Sequence, residues 1–200
     1  MNNVDRFFLE LDREIDVPLK IILTGAYAGM LMGNVRPSMD IDFEVECATV
    51  QPDPSLDDKI DSAIRLVSER IGLPAQYSQS IQGWSQISLL DYREASWLYK
   101  KFGKVEVRVL SPECWTIGKI GRYLELDRMD ISVVLKKKSI SWEKILEVWV
   151  KALKQSPLSN RSREFRDHVI SFLKEEGKAV WGGGFDPTGA VEQFMLLIKK

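Results

Sequence analysis

The sequence has few residues of the types that build zinc sites and disulfide frameworks: 200 residues include two cysteines, Cys47 and Cys114, and one histidine, His168. The cysteines are not at a metal-binding spacing, which argues against both structures. No apolar run reaches the length needed to cross a bilayer. The acidic start MNNVDRFFLELDREID also lacks the basic residues and apolar block of a secretory signal. We therefore expect a cytoplasmic protein with reduced thiols and no membrane association.

Composition is that of an ordinary soluble globular chain, with 44% hydrophobic and 28% charged residues. The net charge is -1, but the charges are unevenly distributed. Residues 37–62 contain eight acids and one lysine, whereas residues 133–180 contain eleven basic and six acidic residues. An acidic site beside a basic surface suits a metal centre that handles a polyanion. Solvated helix faces that happen to be basic explain the second segment equally well.

Hydrophobic periodicity predicts a mixed fold in which strands and helices share the chain up to residue 110 and only helices follow. The predicted strands are 20–24, 39–47, 85–91 and 104–110. The predicted helices are 4–14, 26–33, 112–124, 127–137, 141–155, 161–176, 188–199 and the strongly amphipathic 57–71. This pattern indicates an α+β (α/β) domain at 1–135, with a small mixed sheet and flanking helices, followed by a C-terminal helical region at 136–200.

The predicted strand MDIDFEVEC carries four acids at alternate positions, so they share one face of the sheet. A solvated face accounts for Glu44 and Glu46. It accounts less well for Asp40 and Asp42, because aspartate is a poor strand former. Two carboxylates about 7 Å apart are costly to ionise together without a cation between them. We therefore predict that Asp40 and Asp42 bind Mg²⁺ or Mn²⁺, which are hard cations that accept carboxylates together with substrate phosphates.

A glycine turn precedes these acids, in KIILT-G-AYAGMLMG. Glycine between a strand and a helix lets a phosphate approach the backbone N–H groups of the helix, although many such turns contain glycine for geometry alone. Between Gly25 and the acids lie Arg36 and Ser38. Both could hold triphosphate oxygens, or Arg36 could pair with one of the acids.

The segments G-A-Y-A and R-P-S-M-D-I-D together resemble the signature of the DNA polymerase β-type nucleotidyltransferase superfamily. The resemblance is greatest to a bacterial branch that includes the toxins of AbiE-type abortive-infection and toxin–antitoxin systems. It covers roughly residues 20–135 and extends to VEVRVLSPECWTIGKIGRYLELDRMDI, which matches the later segment of that branch. The resemblance implies a nucleotide-binding role for Gly25, Ala26, Arg36, Ser38, Lys119, Arg122 and Asp130.

The chain departs from that pattern at two positions. The serine that follows the glycine in the family is Ala26 here, so one phosphate contact is missing, and Thr24 or Ser38 could replace it. By position, the third carboxylate of the family can only be Glu106, which we predict to complete the catalytic set. The alternative is that Glu106 and Arg108 form an ordinary pair on a solvated face.

The later polar residues also have two interpretations. The resemblance places Lys119 on the triphosphate and makes Asp130 either a site residue or the partner that orients Lys119 or Arg122. Alternatively, Asp127 is a helix N-cap and Asp130 lies in the first helical turn. We expect His168 to be exposed and not to act in acid–base chemistry.

The leading hypothesis is a metal-dependent nucleotidyltransferase that moves a nucleoside monophosphate from a nucleoside triphosphate to a hydroxyl. The acceptor would be an RNA end, a protein or a small molecule, and a toxin function with an antitoxin partner is one option. The alternative is a catalytically silent module that binds a nucleotide or a partner, or an interaction protein whose acids are simply solvated.

Overall fold

The computed structural model describes residues 2–33, 36–47 and 54–199. It confirms a mixed α+β fold built on a five-stranded mixed sheet with strand order β3-β2-β1-β5-β4. The strands are β1 (Leu19–Thr24), β2 (Ile41–Cys47), β3 (Ala75–Ser78), β4 (Trp97–Phe102) and β5 (Val105–Val109). β1 is central and runs antiparallel to β2 and parallel to β5.

Helices make up most of the remaining described chain. They are α1 (Asn3–Glu14), α2 (Gly25–Leu31), α3 (Pro54–Ile71), α4 (Tyr92–Ala95), α5 (Pro112–Arg122), α6 (Glu125–Lys137), α7 (Trp142–Gln155), α8 (Asn160–Glu175), α9 (Gly177–Trp181) and α10 (Pro187–Lys199). Among the described residues, no helix is both long and apolar enough to cross a membrane.

The chain forms two compact units. The first, which we call the sheet unit, comprises Met1–Ala28, Pro37–Ile81 and Ser96–Leu110. The second, the helical unit, comprises Gly29–Arg36, Gln82–Ala95 and Ser111–Lys200. This division differs from the predicted boundary at residue 135, because α5 and α6 pack with α7, α8 and α9.

Aromatic side chains build the core of the sheet unit on its apolar face. The rings of Phe7 and Phe8 on α1 meet Phe43 of β2 edge to face, and all three are fully buried. Burial of each such side chain contributes about 1.5–3 kcal/mol. Asn2 begins α1 by accepting a 2.7 Å hydrogen bond from the backbone N–H of Asp5. The predicted amphipathic helix at 4–14 is thus confirmed, and it covers the sheet.

The helical unit has its own core around Trp149 of α7. The Trp149 ring packs edge to face on Phe172, and its Nε1 donates a 3.0 Å hydrogen bond to Thr116 Oγ1. Serine caps set the helix starts as the sequence predicts: Ser111 accepts from Cys114 N immediately before Pro112.

The predicted strand at 85–91 is wrong. The Gln82 side chain satisfies the backbone there, since its Nε2 donates to the carbonyls of Ser85 and Ile87 and its Oε1 accepts from Leu89 N. The segment therefore needs no strand partner. Two strands were missed, β3 and β4. Both lie at the edges of the sheet. In β4, two adjacent lysines and an irregular register interrupt the alternation of apolar and polar residues that would predict a strand.

Candidate functional site

Asp42 lies beside the turn that joins β1 to α2. It pairs with Thr24, the last residue of β1, and Gly25 begins α2 directly afterwards. Gly25 has φ +63°, and a Cβ built on it would collide with Oδ2 of Asp42. Glycine is therefore required here twice, for its backbone conformation and for the close approach of a carboxylate.

Asp40 lies in a bend just before β2, which begins at Ile41 rather than at the predicted Met39. Its Oδ1 accepts a 3.0 Å hydrogen bond from Ser38 Oγ, and its Oδ2 accepts one of 3.3 Å from Gln76 Nε2. Gln76 of β3 is directly opposite Asp42 and shares its face of the sheet. The contact with Gln76 therefore draws the Asp40 carboxylate toward the face that carries Asp42. Ser38, predicted to bind phosphate, here holds Asp40.

Asp40 and Asp42 are the carboxylates of this region that could hold a hard divalent cation. An ionised carboxylate offers about four lone-pair directions, and the two donors on Asp40 use only part of that capacity. Over the described part of the chain, no group of three or more histidine, cysteine or acidic side chains is arranged to hold a metal ion. Two carboxylates suffice for Mg²⁺ when substrate phosphates and water supply the remaining oxygens.

Glu106 does not lie with these aspartates, which corrects its assignment as the third carboxylate. It pairs with Lys20 in the register of β1, whereas Asp42 pairs with Thr24, four residues further along. Four residues correspond to about 13 Å along a strand, and β5 and β2 lie on opposite sides of β1.

The Glu106 carboxylate is engaged in local ion pairs. It contacts Lys101 Nζ at 2.9 Å and Arg108 Nη1 at 3.3 Å, and these contacts, led by Lys101, lower its pKa. The ordinary Glu–Arg pair is therefore the interpretation that the geometry supports.

The other two acids of β2 differ from one another. Glu46 is exposed and lies 3.6 Å from Lys20, as a solvated face predicts. Glu44 is fully buried and accepts a 2.9 Å hydrogen bond from Ile81 N, so the solvated interpretation is wrong for it. Glu44 lies two residues after Asp42 on the same face of β2. Its hydrogen bond holds the segment that follows β3 against the sheet.

Five other charged residues form an ion network within the helical unit. Asp130 accepts two hydrogen bonds from Arg36, at 3.1 Å from Nε and 2.8 Å from Nη2. Lys119 Nζ lies 2.8 Å from both Asp130 and Asp127. Arg122 in turn donates to Asp127 through Nε and Nη2. The structure thus brings together all four charged residues that were predicted to bind the nucleotide, and adds Asp127 to them.

Burial decides which members of this network are accessible. Lys119, Asp127 and Asp130 are at most 3% exposed, whereas the side chain of Arg122 is 62% exposed. The Lys119 ammonium also lies over the Trp115 ring, with Nζ 5.2 Å from the ring centroid. Lys119 is therefore fully engaged by protein groups, and any phosphate contact would compete with two carboxylates.

The network also separates the alternatives for the two aspartates of α6. Leu124 is the N-cap of this helix and Asp127 is buried, so the N-cap interpretation of Asp127 is wrong. Asp130 contacts Lys119 at 2.8 Å, as expected if Asp130 is the partner that orients Lys119. Arg36 does pair with an acid, and the contact that the structure shows is with Asp130.

Ala26 and His168 are the remaining two residues about which the sequence analysis made a prediction. Ala26 is the second residue of α2 and supplies no hydroxyl. His168 is half-buried, which corrects the expectation of exposure. Its ring stacks on Tyr123 at 4.8 Å, and its Nδ1 is 2.9 Å from the carbonyl oxygen of Ile120. These contacts give it a packing role.

Comparison with known proteins adds no relative: no family model, no curated protein and no solved structure matches the chain.

Proposed function

We propose that this chain is a metal-dependent nucleotidyltransferase that moves a nucleoside monophosphate from a nucleoside triphosphate to a hydroxyl. The observation that carries the proposal is the Asp42 carboxylate against Gly25, with Asp40 held two residues before it. Gly25 cannot bear a side chain because the Asp42 carboxylate occupies that position, and Ser38 with Gln76 fixes the Asp40 carboxylate. Such preorganised oxygen ligands are what phosphoryl chemistry requires of a protein.

Asp40 and Asp42 would hold the cation in this proposal. A bound Mg²⁺ or Mn²⁺ supplies charge neutralisation for the triphosphate and for the leaving pyrophosphate. The acceptor oxygen forms a bond to the α-phosphorus while the bond from the α-phosphorus to the bridging oxygen of pyrophosphate breaks, and the hydroxyl proton passes to solvent. Ser38 and Gln76 keep the Asp40 carboxylate oriented, so their role is positioning.

Nucleotide binding is tested by thermal unfolding with each nucleoside triphosphate and Mg²⁺. Ligand at about one hundred times its Kd stabilises a protein by about 2.7 kcal/mol, which raises Tm by several degrees for a chain of this length. We expect the shift in the wild type and its loss in Asp40→Asn and Asp42→Asn. The matched control is Glu46→Gln, which removes an exposed acid from the same strand and should keep the shift. An undiminished shift in the two aspartate variants would refute the proposal.

A catalytically silent nucleotide-binding module is the second candidate. It is favoured by the position of Glu106, which leaves the aspartates without the third carboxylate that the resemblance implies. Incubation with α-labelled triphosphates and total cell RNA or protein separates the two. Label transfer that Asp42→Asn abolishes supports the enzyme and identifies the acceptor class, whereas a Tm shift without transfer supports the binding module.

The resemblance also assigns Arg36 and Lys119 to the triphosphate, and this stays a prediction. The part of it that concerns Arg36 is tested by comparing triphosphate affinity in Arg36→Lys and in the control Arg128→Lys, whose arginine has a similarly exposed side chain in the same unit. Both changes keep the charge, but only the first disturbs the two-point contact with Asp130. Weaker binding in Arg36→Lys alone supports a role for the Arg36 guanidinium.

A further inference from the structure

A groove of about 450 Å³ lies in the sheet unit, between α3 and the segment that follows α1. This volume is within the range of ligand-binding clefts. α1 packs on the apolar face of the sheet through Phe7 and Phe8, so the groove belongs to the side of the sheet opposite the face with Asp42. Its occupant would therefore not compete with a nucleotide at the aspartates.

The inside of the groove is apolar. Ile15, Ile60 and Ala63 are buried beneath it, each at most 7% exposed. Leu66 forms one wall with 44% of its surface exposed, and Val17 and Leu56 also line the groove. The buried floor, Leu66 and the other apolar lining residues form one continuous apolar surface, which is the feature that marks interaction sites.

The rim is acidic. Three carboxylates line the groove, from Glu14, Asp16 and Asp58, together with the ammonium of Lys59. Glu14 lies 2.7 Å from Arg70 Nη1, so the negative charge offered to a ligand comes from Asp16 and Asp58. Asp58 belongs to the acidic segment 37–62. The proposed nucleotidyltransferase site uses Asp40 and Asp42 of that segment but not Asp58. Net negative charge around an apolar floor complements a ligand that carries cations beside apolar groups.

We propose that this groove, lined by residues of 14–17 and α3, docks a basic amphipathic segment of a partner protein. Leucine- or methionine-like side chains of that segment enter above Ile60 and Ala63, while its lysine or arginine side chains face Asp16 and Asp58. This is the helix-in-groove mode of recognition, in which apolar anchors give affinity and flanking charges give selectivity.

The probe is a fluorescent 18-residue peptide of leucine and arginine, patterned so that one helical face is apolar. The control peptide has glutamate in place of arginine. Binding to the full chain is measured by fluorescence anisotropy. Leu66→Lys and Asp58→Lys alter the groove, and Leu196→Lys and Asp167→Lys make the same changes at exposed positions on α10 and α8.

We expect the arginine peptide to bind the wild type, and each groove variant to weaken its Kd at least tenfold. Lys59→Glu should tighten binding, and the two control variants should not change it. The Tm shift with triphosphate and Mg²⁺ should be the same in every variant, which separates this surface from the nucleotide site.

Three results would overturn the proposal. The first is absence of binding, the second is equal weakening in groove and control variants, and the third is equal binding of the glutamate peptide. Sedimentation of the chain alone adds a further test. Self-association that Leu66→Lys abolishes would assign the groove to a second copy of this chain instead.

Discussion

The contact between Gly25 and Asp42 can be tested by Gly25→Ala, because Gly72 provides a matched control. Both glycines have nearly the same backbone angle, φ +63° and +68°. A Cβ at Gly72 would meet no atom within 4 Å, whereas one at Gly25 would collide with the Asp42 carboxylate. Gly72→Ala therefore measures the cost of the left-handed conformation alone, and Gly25→Ala measures that cost together with displacement of Asp42.

The expected magnitudes follow from these two terms. A left-handed non-glycine residue costs about 1–2 kcal/mol, and the stiffer unfolded chain offsets about 0.4–1 kcal/mol. Gly72→Ala should thus lower the free energy of unfolding by about 1 kcal/mol. Inserting a carbon into a filled space adds about 1–3 kcal/mol, so Gly25→Ala should cost about 2–4 kcal/mol.

Urea denaturation measures both costs, and a double-mutant cycle isolates the contact. In an Asp42→Ala background the colliding carboxylate is gone, but the Cβ of residue 42 would still lie 2.8 Å from the new methyl group. The cost of Gly25→Ala should therefore fall toward that of Gly72→Ala without reaching it. Gly25→Ala should also reduce the Tm shift with triphosphate and Mg²⁺, since it displaces a proposed metal ligand, while Gly72→Ala should not. Equal costs for the two single variants, or an Asp42→Ala background that changes nothing, would refute the geometry.

The ion network and the sheet give further predictions. Lys119→Met leaves two buried carboxylates without their shared cation and should cost about 3–5 kcal/mol, whereas Arg122→Met removes a mostly exposed cation and should cost about 0–1 kcal/mol. Urea denaturation compares the two, and similar losses would contradict the burial argument. The pKa of Glu106, followed by NMR titration, should lie below its ordinary value of 4.5 and rise in Lys101→Gln. Because folding lowers this pKa, the pairing stabilises the fold above the unfolded-state pKa, and that contribution disappears as pH falls through the folded-state value.

Periodicity was sufficient for the elements whose side chains face one large core. The stripe of α1 and the alternation of β2 and β5 place their apolar residues on a buried side, and the structure confirms all three. The edge strands β3 and β4 lack such a pattern because β3 has no buried residue and β4 has one, Phe102. The segment 85–91 has apolar residues at strand-like positions, but Gln82, a residue outside it, satisfies its backbone.

The residues of the proposed metal site could be named before the fold was known, because carboxylates at alternate strand positions and a preceding glycine are local features of the sequence. The sequence could not determine their partners. Gln76 reaches Asp40 across 36 residues, and Arg36 reaches Asp130 across 94. Such contacts depend on strand register and helix packing. Register also separates Glu106 from Asp42, because Glu106 pairs with Lys20, four residues before the Thr24 partner of Asp42. Local pattern fixes the face on which a side chain lies, but only the assembled sheet fixes its neighbours along that face.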